Sequence, residues 1–234
     1  MLHYFICYIF LLFSSVPGSP PGTVKLNDTL YADRTEVTNL DWRECLHWIN
    51  KTYGDTSQQY LSMLPDCTCW NIHGVDFEEY LRHPKYQNFP VVCISHEQAL
   101  EYCKWRTNIV NENIYKKKNK SKKSKNIDFS KIYYPPVLTY RLPSTAEWET
   151  LAAMAVAENS IFSASMPGTT DIAKNDKMGF AHIAGNVSEM TAEKGLAKGG
   201  NFSRKIQDFD IMNCINYDKP YNWLGFRCVC EPNK

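Results

Sequence analysis

An α+β fold with little regular secondary structure is what the sequence predicts, and three observations carry it. Three helix starts with explicit capping signals all lie before residue 150. After Ala155 there is no long helical pattern, only short apolar runs punctuated by Gly185-Asn186, Gly199-Gly200 and Gly225. No internal repeat is visible, so the chain reads as a single domain rather than an array.

The elements follow in order. Thr38, with Asp41 three residues on, opens a helix whose apolar positions Trp42, Cys45, Leu46 and Ile49 recur at i, i+3, i+4 and i+7. Phe89-Pro90-Val91-Val92-Cys93-Ile94 reads as a short strand with proline at its edge. Ser95 and Gln98 form a capping box, in which the hydroxyl serves an orphan amide and the longer side chain reaches back. They lead into Ala99, Leu100, Cys103 and a helix expected to end near Arg106. From Asn108 to Val137 the chain reads as an insertion, with a basic loop near residues 112–134. Ser144 and Glu147 form another capping box, and Trp148, Leu151, Ala152 and Ala155 then mark a core-facing stripe. Leu224, Phe226, Cys228 and Cys230 alternate with Gly225, Arg227 and Val229, the pattern of a half-buried strand.

Charge separates the body from this insertion. The chain of 234 residues carries a formal net charge of +1, which excludes a globally basic nucleic-acid binder. Residues 116–125, K-K-K-N-K-S-K-K-S-K, hold seven lysines and no acid, so the rest of the chain is net −6. A block this dense repels itself and reads as a solvated loop. Its functional alternative is attraction to an anionic surface, lipid, glycan or protein, through Lys116–Lys125.

At the other end, Tyr4 to Phe13 is apolar and is followed by S-S-V-P-G-S-P-P-G. The run falls short of the roughly 20 residues of a membrane span and suits the apolar region of a signal peptide, assigned to residues 1–18. Residues 19–234 are then the mature domain, secreted, periplasmic or envelope-associated. That domain keeps eight cysteines: Cys45, Cys67, Cys69, Cys93, Cys103, Cys214, Cys228 and Cys230. An even number in an exported chain favours at least one disulfide. A four-thiolate zinc site from Cys67, Cys69, Cys228 and Cys230 is disfavoured by the C-x-C spacing and by export.

Read together, the blocks resemble one family. Tyr31-Ala32-Asp33-Arg34-Thr35-Glu36-Val37-Thr38-Asn39, Pro90-Val91-Val92, Ala99 to Trp105, Arg141 to Glu149, Gly185-Asn186-Val187-Ser188-Glu189, Lys198-Gly199-Gly200-Asn201-Phe202 and Gly225-Phe226-Arg227-Cys228 stand in the order seen in sulfatase-modifying factors. The best-known member is formylglycine-generating enzyme. The chain resembles a divergent member, similar to the lipoproteins of bacterial gliding and secretion machinery. The resemblance spans roughly residues 22–230 and implies a variant of the C-type lectin fold. It also implies a disulfide between Cys103 and Cys228, the positions matching the helix and G-F-R-C cysteines that pair in the enzymes. Such a bridge closes a loop of about 125 residues, for about 4–5 kcal/mol in the chain-entropy account.

The family's copper chemistry does not carry over. The enzymes hold copper with two cysteines shortly after an R-G-G-S block, because soft thiolates suit Cu(I). Aligning on Gly199-Gly200 puts Arg204 and Phe209 at those positions, and neither side chain ligates copper. Cys214 matches a further structural cysteine whose usual partner position is Ala152; Cys93 and Cys45 are its candidate partners here. The histidines His3, His47, His73, His83, His96 and His182 form no H-x-x-x-H pair, which excludes the iron site of the sulfoxide synthases. A calcium loop would correspond to His182–Val187, with His182 where an asparagine oxygen is expected. Imidazole is a poor ligand for calcium, which remains possible through backbone carbonyls. Ser188 and Met190 replace two indole positions of the family's G-N-x-W-E-W, through altered packing or a remodelled cleft.

The resulting expectation is an exported, non-catalytic domain with no required cofactor, acting in binding or assembly with a protein partner of an envelope complex. The alternative is an oxidase that generates formylglycine from a cysteine of a protein substrate, with relocated metal-binding thiols. Carbohydrate or peptide binding by a lectin-like surface is a third reading.

Overall fold

The computed structural model describes residues 19–119, 135–155, 164–170, 179–203 and 213–233. The proposed signal segment, residues 120–134 of the basic insertion, Arg204 and Phe209 lie outside these residues. Two small sheets and five α-helices make an α+β architecture. Strands β1 (Thr23–Lys25), β2 (Tyr31–Asp33), β3 (Leu138–Arg141) and β8 (Val229–Pro232) form an antiparallel sheet in the order β1-β2-β8-β3. Strands β4 (Ser188–Met190), β5 (Leu196–Lys198), β6 (Ile215–Asn216) and β7 (Leu224–Gly225) form the second, ordered β6-β5-β4-β7. The β4–β7 pair is parallel and the others are antiparallel.

Local capping chemistry sets the helix starts. Helix α1 (Asn39–Tyr53) begins at Thr38, whose backbone N–H donates to Asp41 Oδ2 at 2.9 Å while its hydroxyl accepts from the Asp41 amide at 3.1 Å. Helix α5 (Thr145–Met154) begins at Ser144 with the same reciprocal pair to Glu147. Helix α4 (His96–Asn119) follows Ser95, whose amide donates to Gln98 Oε1 at 2.7 Å. Each box satisfies donors that the first helical turn leaves without partners. Two shorter helices, α2 (Gln58–Leu61) and α3 (Phe77–Arg82), pack on α1.

The stripe read on α1 is the buried one: Trp42, Cys45, Leu46 and Ile49 enter a core with Tyr80, Tyr102 and Phe226. Trp42 stacks on Tyr102 at 5.7 Å between ring centroids and meets Phe226 edge-on at 6.4 Å. A second cluster joins Trp148, Leu151 and Ala152 of α5 to Leu26, Leu30, Phe180 and Val229.

Three sequence expectations are corrected. Helix α4 does not end near Arg106 but continues to Asn119, through the start of the expected insertion loop. Its added turns are held by tertiary contacts: Thr107 and Asn111 hydrogen-bond to the backbone of the edge strand β3. Phe89–Ile94 is not a strand. Only Pro90 makes a β-bridge, to Thr38, and Cys93 turns the backbone away at φ +60°. Finally, Leu224–Cys230 is not one half-buried strand. It is β7 of the second sheet, a crossing at Phe226–Cys228, and the start of β8 in the first, all buried. The alternating pattern failed because Arg227, read as a solvent-facing polar residue, is matched inside by a carboxylate.

Candidate functional site: the buried polar junction between the sheets

The crossing at Phe226–Cys228 brings the charged residues of three blocks together. Arg227 is fully buried and donates from Nε to both oxygens of Glu189, at 2.9 and 2.8 Å, and from Nη2 to Glu189 Oε1 at 2.6 Å. Its remaining donors reach the carbonyls of Asp33 (3.1 Å) and Ala181 (2.8 Å). Glu189 also accepts from Trp148 Nε1 at 2.8 Å, so the indole that opens α5 is anchored to this pair. Burial works against the Arg227 charge, but the Glu189 carboxylate outweighs it and raises the guanidinium pKa. A planar fork on a carboxylate is the arrangement that makes a desolvated ion pair tolerable.

Beside it, Glu36 is 1% exposed. One oxygen accepts from Asn186 Nδ2 at 3.1 Å; the other has no hydrogen-bond partner among the described residues. Burial raises its pKa from 4.5 to about 8, with Arg227 opposing and Glu189 reinforcing the rise. Arg227 is already neutralised by Glu189, so Glu36 has no cation of its own and burial favours its protonated form. Asn186 sits at φ +64°, a left-handed conformation that asparagine tolerates. It accepts from Gly168 N at 2.8 Å through its side chain and from Phe202 N at 2.8 Å through its carbonyl.

A second ion pair borders the junction. Arg106 of α4 grips Asp33 of β2 through two hydrogen bonds, at 2.6 and 2.8 Å, and its guanidinium lies 4.2 Å from the centre of the Tyr140 ring. Asp33 Oδ2 accepts the Cys228 amide at 2.9 Å, locking the crossing in place. Directly behind that amide, Cys103 and Cys228 face each other, both buried, with sulfurs 3.6 Å apart and no covalent bond. Burial and the Cys103 thiol push the Cys228 thiol well above its usual pKa.

The block after Gly185 is closed by protein groups. Ser188, at one missing indole position, donates to the Gly199 carbonyl at 3.0 Å and accepts from Asn201 Nδ2 at 3.0 Å. Ser188 and Met190 are both fully buried and fill the interior. Gly199 lies at φ +80°, where a Cβ would stand 2.9 Å from the Ile183 carbonyl and 3.1 Å from the Trp148 ring. Only glycine permits this approach.

The metals implied by the resemblance do not fit these donors. Glu189 is committed to Arg227 and Trp148, Glu36 accepts from Asn186 through one oxygen, and both side-chain ends of Asn186 are engaged. The His182–Val187 loop itself carries no carboxylate, so calcium there would rest on backbone carbonyls. For copper, the aligned Arg204 and Phe209 offer no thiolate, and Cys214 is an exposed cysteine outside any disulfide. Among the described residues no group of three or more histidines, cysteines or acids is placed to hold a metal ion.

The structure contains one disulfide among the described residues, between Cys69 and Cys93, with Cα atoms 6.0 Å apart. Cys93 is thereby corrected as a candidate partner for Cys214, and Cys45 is buried in the α1 core while Cys214 is exposed. Sequence reasoning quoted Glu36, Glu189, Arg227 and Asp33 as family blocks but gave them no role. Their signal was a charged residue in each short apolar or glycine-punctuated block, where a solvated loop has no need of one.

Residues 13–232 match the family described as "Sulfatase-modifying factor enzyme 1-like domain". No curated protein matches the chain. Solved structures that share its fold include CarF, variable protein 1 and PvdO. CarF is 17% identical, with 88% of this chain and 87% of that one covered at a TM-score of 0.51. Variable protein 1 of Treponema denticola is 16% identical, with coverages of 87% and 84% and a TM-score of 0.50. PvdO from Pseudomonas aeruginosa is 15% identical, with coverages of 86% and 80% and a TM-score of 0.50.

Proposed function

Because the chain belongs to the sulfatase-modifying factor enzyme 1-like family, with its formylglycine-generating-enzyme type of C-type lectin fold, we propose that it is a non-catalytic member acting in binding or assembly. The observation that carries this reading is a contrast. The buried junction of Arg227, Glu189, Trp148, Glu36 and Asn186 keeps the blocks of the fold. At the two positions that hold copper in the enzymes stand Arg204 and Phe209. Function resides in the site and not in the fold, and a guanidinium and a phenyl ring supply no soft ligand.

The proposal places the chain outside the cytoplasm, after removal of residues 1–18, with a protein partner in the cell envelope. No calcium or copper is required in it. The lysines from Lys116 onward supply the charge for an anionic partner surface; Lys116–Lys118 extend α4, and Lys116 pairs with Glu112. A second reading, an oxidase with relocated thiols, rests on the exposure of Cys214.

Anaerobic titration with Cu(I), followed by oxygen and a cysteine-containing sulfatase peptide, separates the two. The binding reading expects no stoichiometric copper complex and no formylglycine. Copper-dependent conversion of the peptide, lost in Cys214→Ala, would establish the oxidase instead. Capture of envelope proteins by the intact chain, compared with a chain whose lysines 116–125 are replaced by glutamine, tests the basic segment; equal recovery removes it from the proposal.

A further inference from the structure

Cys69 and Cys93 join beside the α1 core, and Cys67 shares a turn with Cys69. Cys67 and Cys69 occupy one 3-10 turn, Cys67–Cys69, which is capped by Asp66 accepting from Thr68 N at 2.9 Å. Cys67 is exposed and outside any disulfide; Cys69 is half-buried and bonded to Cys93, which is fully buried. The turn is docked on Cys93 twice, through the disulfide and through the Asp66 amide, which donates to the Cys93 carbonyl at 2.7 Å. Cys93 holds φ +60°, a backbone state uncommon for any residue but glycine. A cysteine there is explained by the bond it makes. The free thiol therefore lies two residues from a half-buried cysteine of a disulfide.

We propose that Cys67, Cys69 and Cys93 form a thiol–disulfide exchange site that accepts an external thiol. The incoming thiolate attacks Sγ of Cys69, the less buried of the two bonded cysteines. A new S–S bond forms to Cys69, the Cys69–Cys93 bond breaks, and Cys93 leaves as a thiolate that takes up the proton lost by the incoming thiol. The Cys67 thiolate then attacks the same Cys69 Sγ, forming Cys67–Cys69 and expelling the external thiolate, which recovers the proton given up by Cys67. No oxidant or reductant is consumed. Cysteines two residues apart in a helical turn lie within the Cα separation a disulfide spans. Exchange of this kind needs an accessible sulfur and a nearby attacking thiol; Cys67 is exposed and Cys69 half-buried in one turn. Cys67 acts as the resolving cysteine, and the exchange frees Cys93 from the turn.

The test uses the full mature chain, kept anaerobic, with a cysteine-containing peptide in one arm and cysteamine in the other. Acid quenching, alkylation and peptide mapping without reduction then read the linkages. The expected result is conversion of Cys69–Cys93 to Cys67–Cys69, with Cys93 alkylated after denaturation. Cys67→Ser, a change at an exposed position, should instead trap the external thiol on Cys69, about tenfold above the wild-type level. Faster conversion by the peptide than by cysteamine assigns the site to polypeptide thiols, and equal rates assign it to small thiols. Persistence of Cys69–Cys93 alone in the wild type, or equal mixed disulfide in the wild type and Cys67→Ser, overturns the proposal.

Discussion

Glu36 shows how one buried residue makes the whole chain sensitive to pH. Its folded pKa, raised by burial to about 8 from 4.5, lies above the unfolded value. Between these two limits the folded state binds the proton and the unfolded state does not. Stability from this group is therefore fully present below about pH 4.5 and is lost as pH rises towards 8. The steepest loss is about 1.4 kcal/mol per pH unit. Glu36→Gln retains an oxygen for Asn186 Nδ2 and carries no titratable proton. We expect urea unfolding at pH 5 and pH 8 to show wild-type stability falling over this interval and the variant falling less, with the variant the more stable at pH 8. Identical slopes for the two proteins would mean that Glu36 is not a neutral acid in the fold.

At the level of elements, the extension of α4 matters because it covers a sheet edge. Strand β3 pairs only with β8, so its other side presents unpaired backbone groups, the exposed edge that natural sheets protect. Asn111 Oδ1 accepts from Val137 N at 2.7 Å and from Leu138 N at 3.1 Å, while its Nδ2 donates to the Leu138 carbonyl at 2.7 Å. Thr107 completes the row at Tyr140, accepting the Tyr140 amide at 2.9 Å. Asn111→Ala leaves three backbone groups without their partner and should lower the unfolding free energy by about 1–3 kcal/mol. Hydrogen exchange at the Val137 and Leu138 amides should rise in the same variant, whereas unchanged protection there would show that α4 does not guard this edge. The contrast with the helix starts explains what the sequence could reveal. Thr38–Asp41, Ser95–Gln98 and Ser144–Glu147 are closed within four residues, so their chemistry is local and legible. The end of α4 depends on Asn111 meeting a strand 27 residues later, and nothing in the lysine run signals that. Arg227 was misread for the same reason, since its partner Glu189 lies 38 residues away.

For the molecule as a whole, the decisive feature is that the last strand pair belongs to both sheets. The chain leaves β7 in one sheet and enters β8 in the other within three residues, and every interaction at that crossing is long-range: Arg227 to Glu189, the Cys228 amide to Asp33, Cys228 to Cys103. The fold was legible because the family blocks are the segments that meet here, although their composition alone gave no contact. The Cys103–Cys228 pair is the point at which covalent chemistry would act on the entire fold. Their sulfurs stand 3.6 Å apart across a sequence separation of 125 residues, in a site already ordered by Asp33 and Arg106. Given an external oxidant that takes up two electrons and two protons, disulfide formation there asks only a small approach of the two buried sulfurs. By the chain-entropy account, closing so long a loop stabilises the fold by about 4–5 kcal/mol. In protein recovered under oxidising conditions, Cys103 and Cys228 should therefore resist alkylation after denaturation until a reductant is added, and reduction should lower the denaturation midpoint. Cys103→Ala should abolish the part of that shift which the Cys69–Cys93 bridge does not supply, as measured against Cys69→Ala. Free alkylation of both Cys103 and Cys228 in the denatured, unreduced chain would show instead that the junction is held by its buried ion pairs and hydrogen bonds alone.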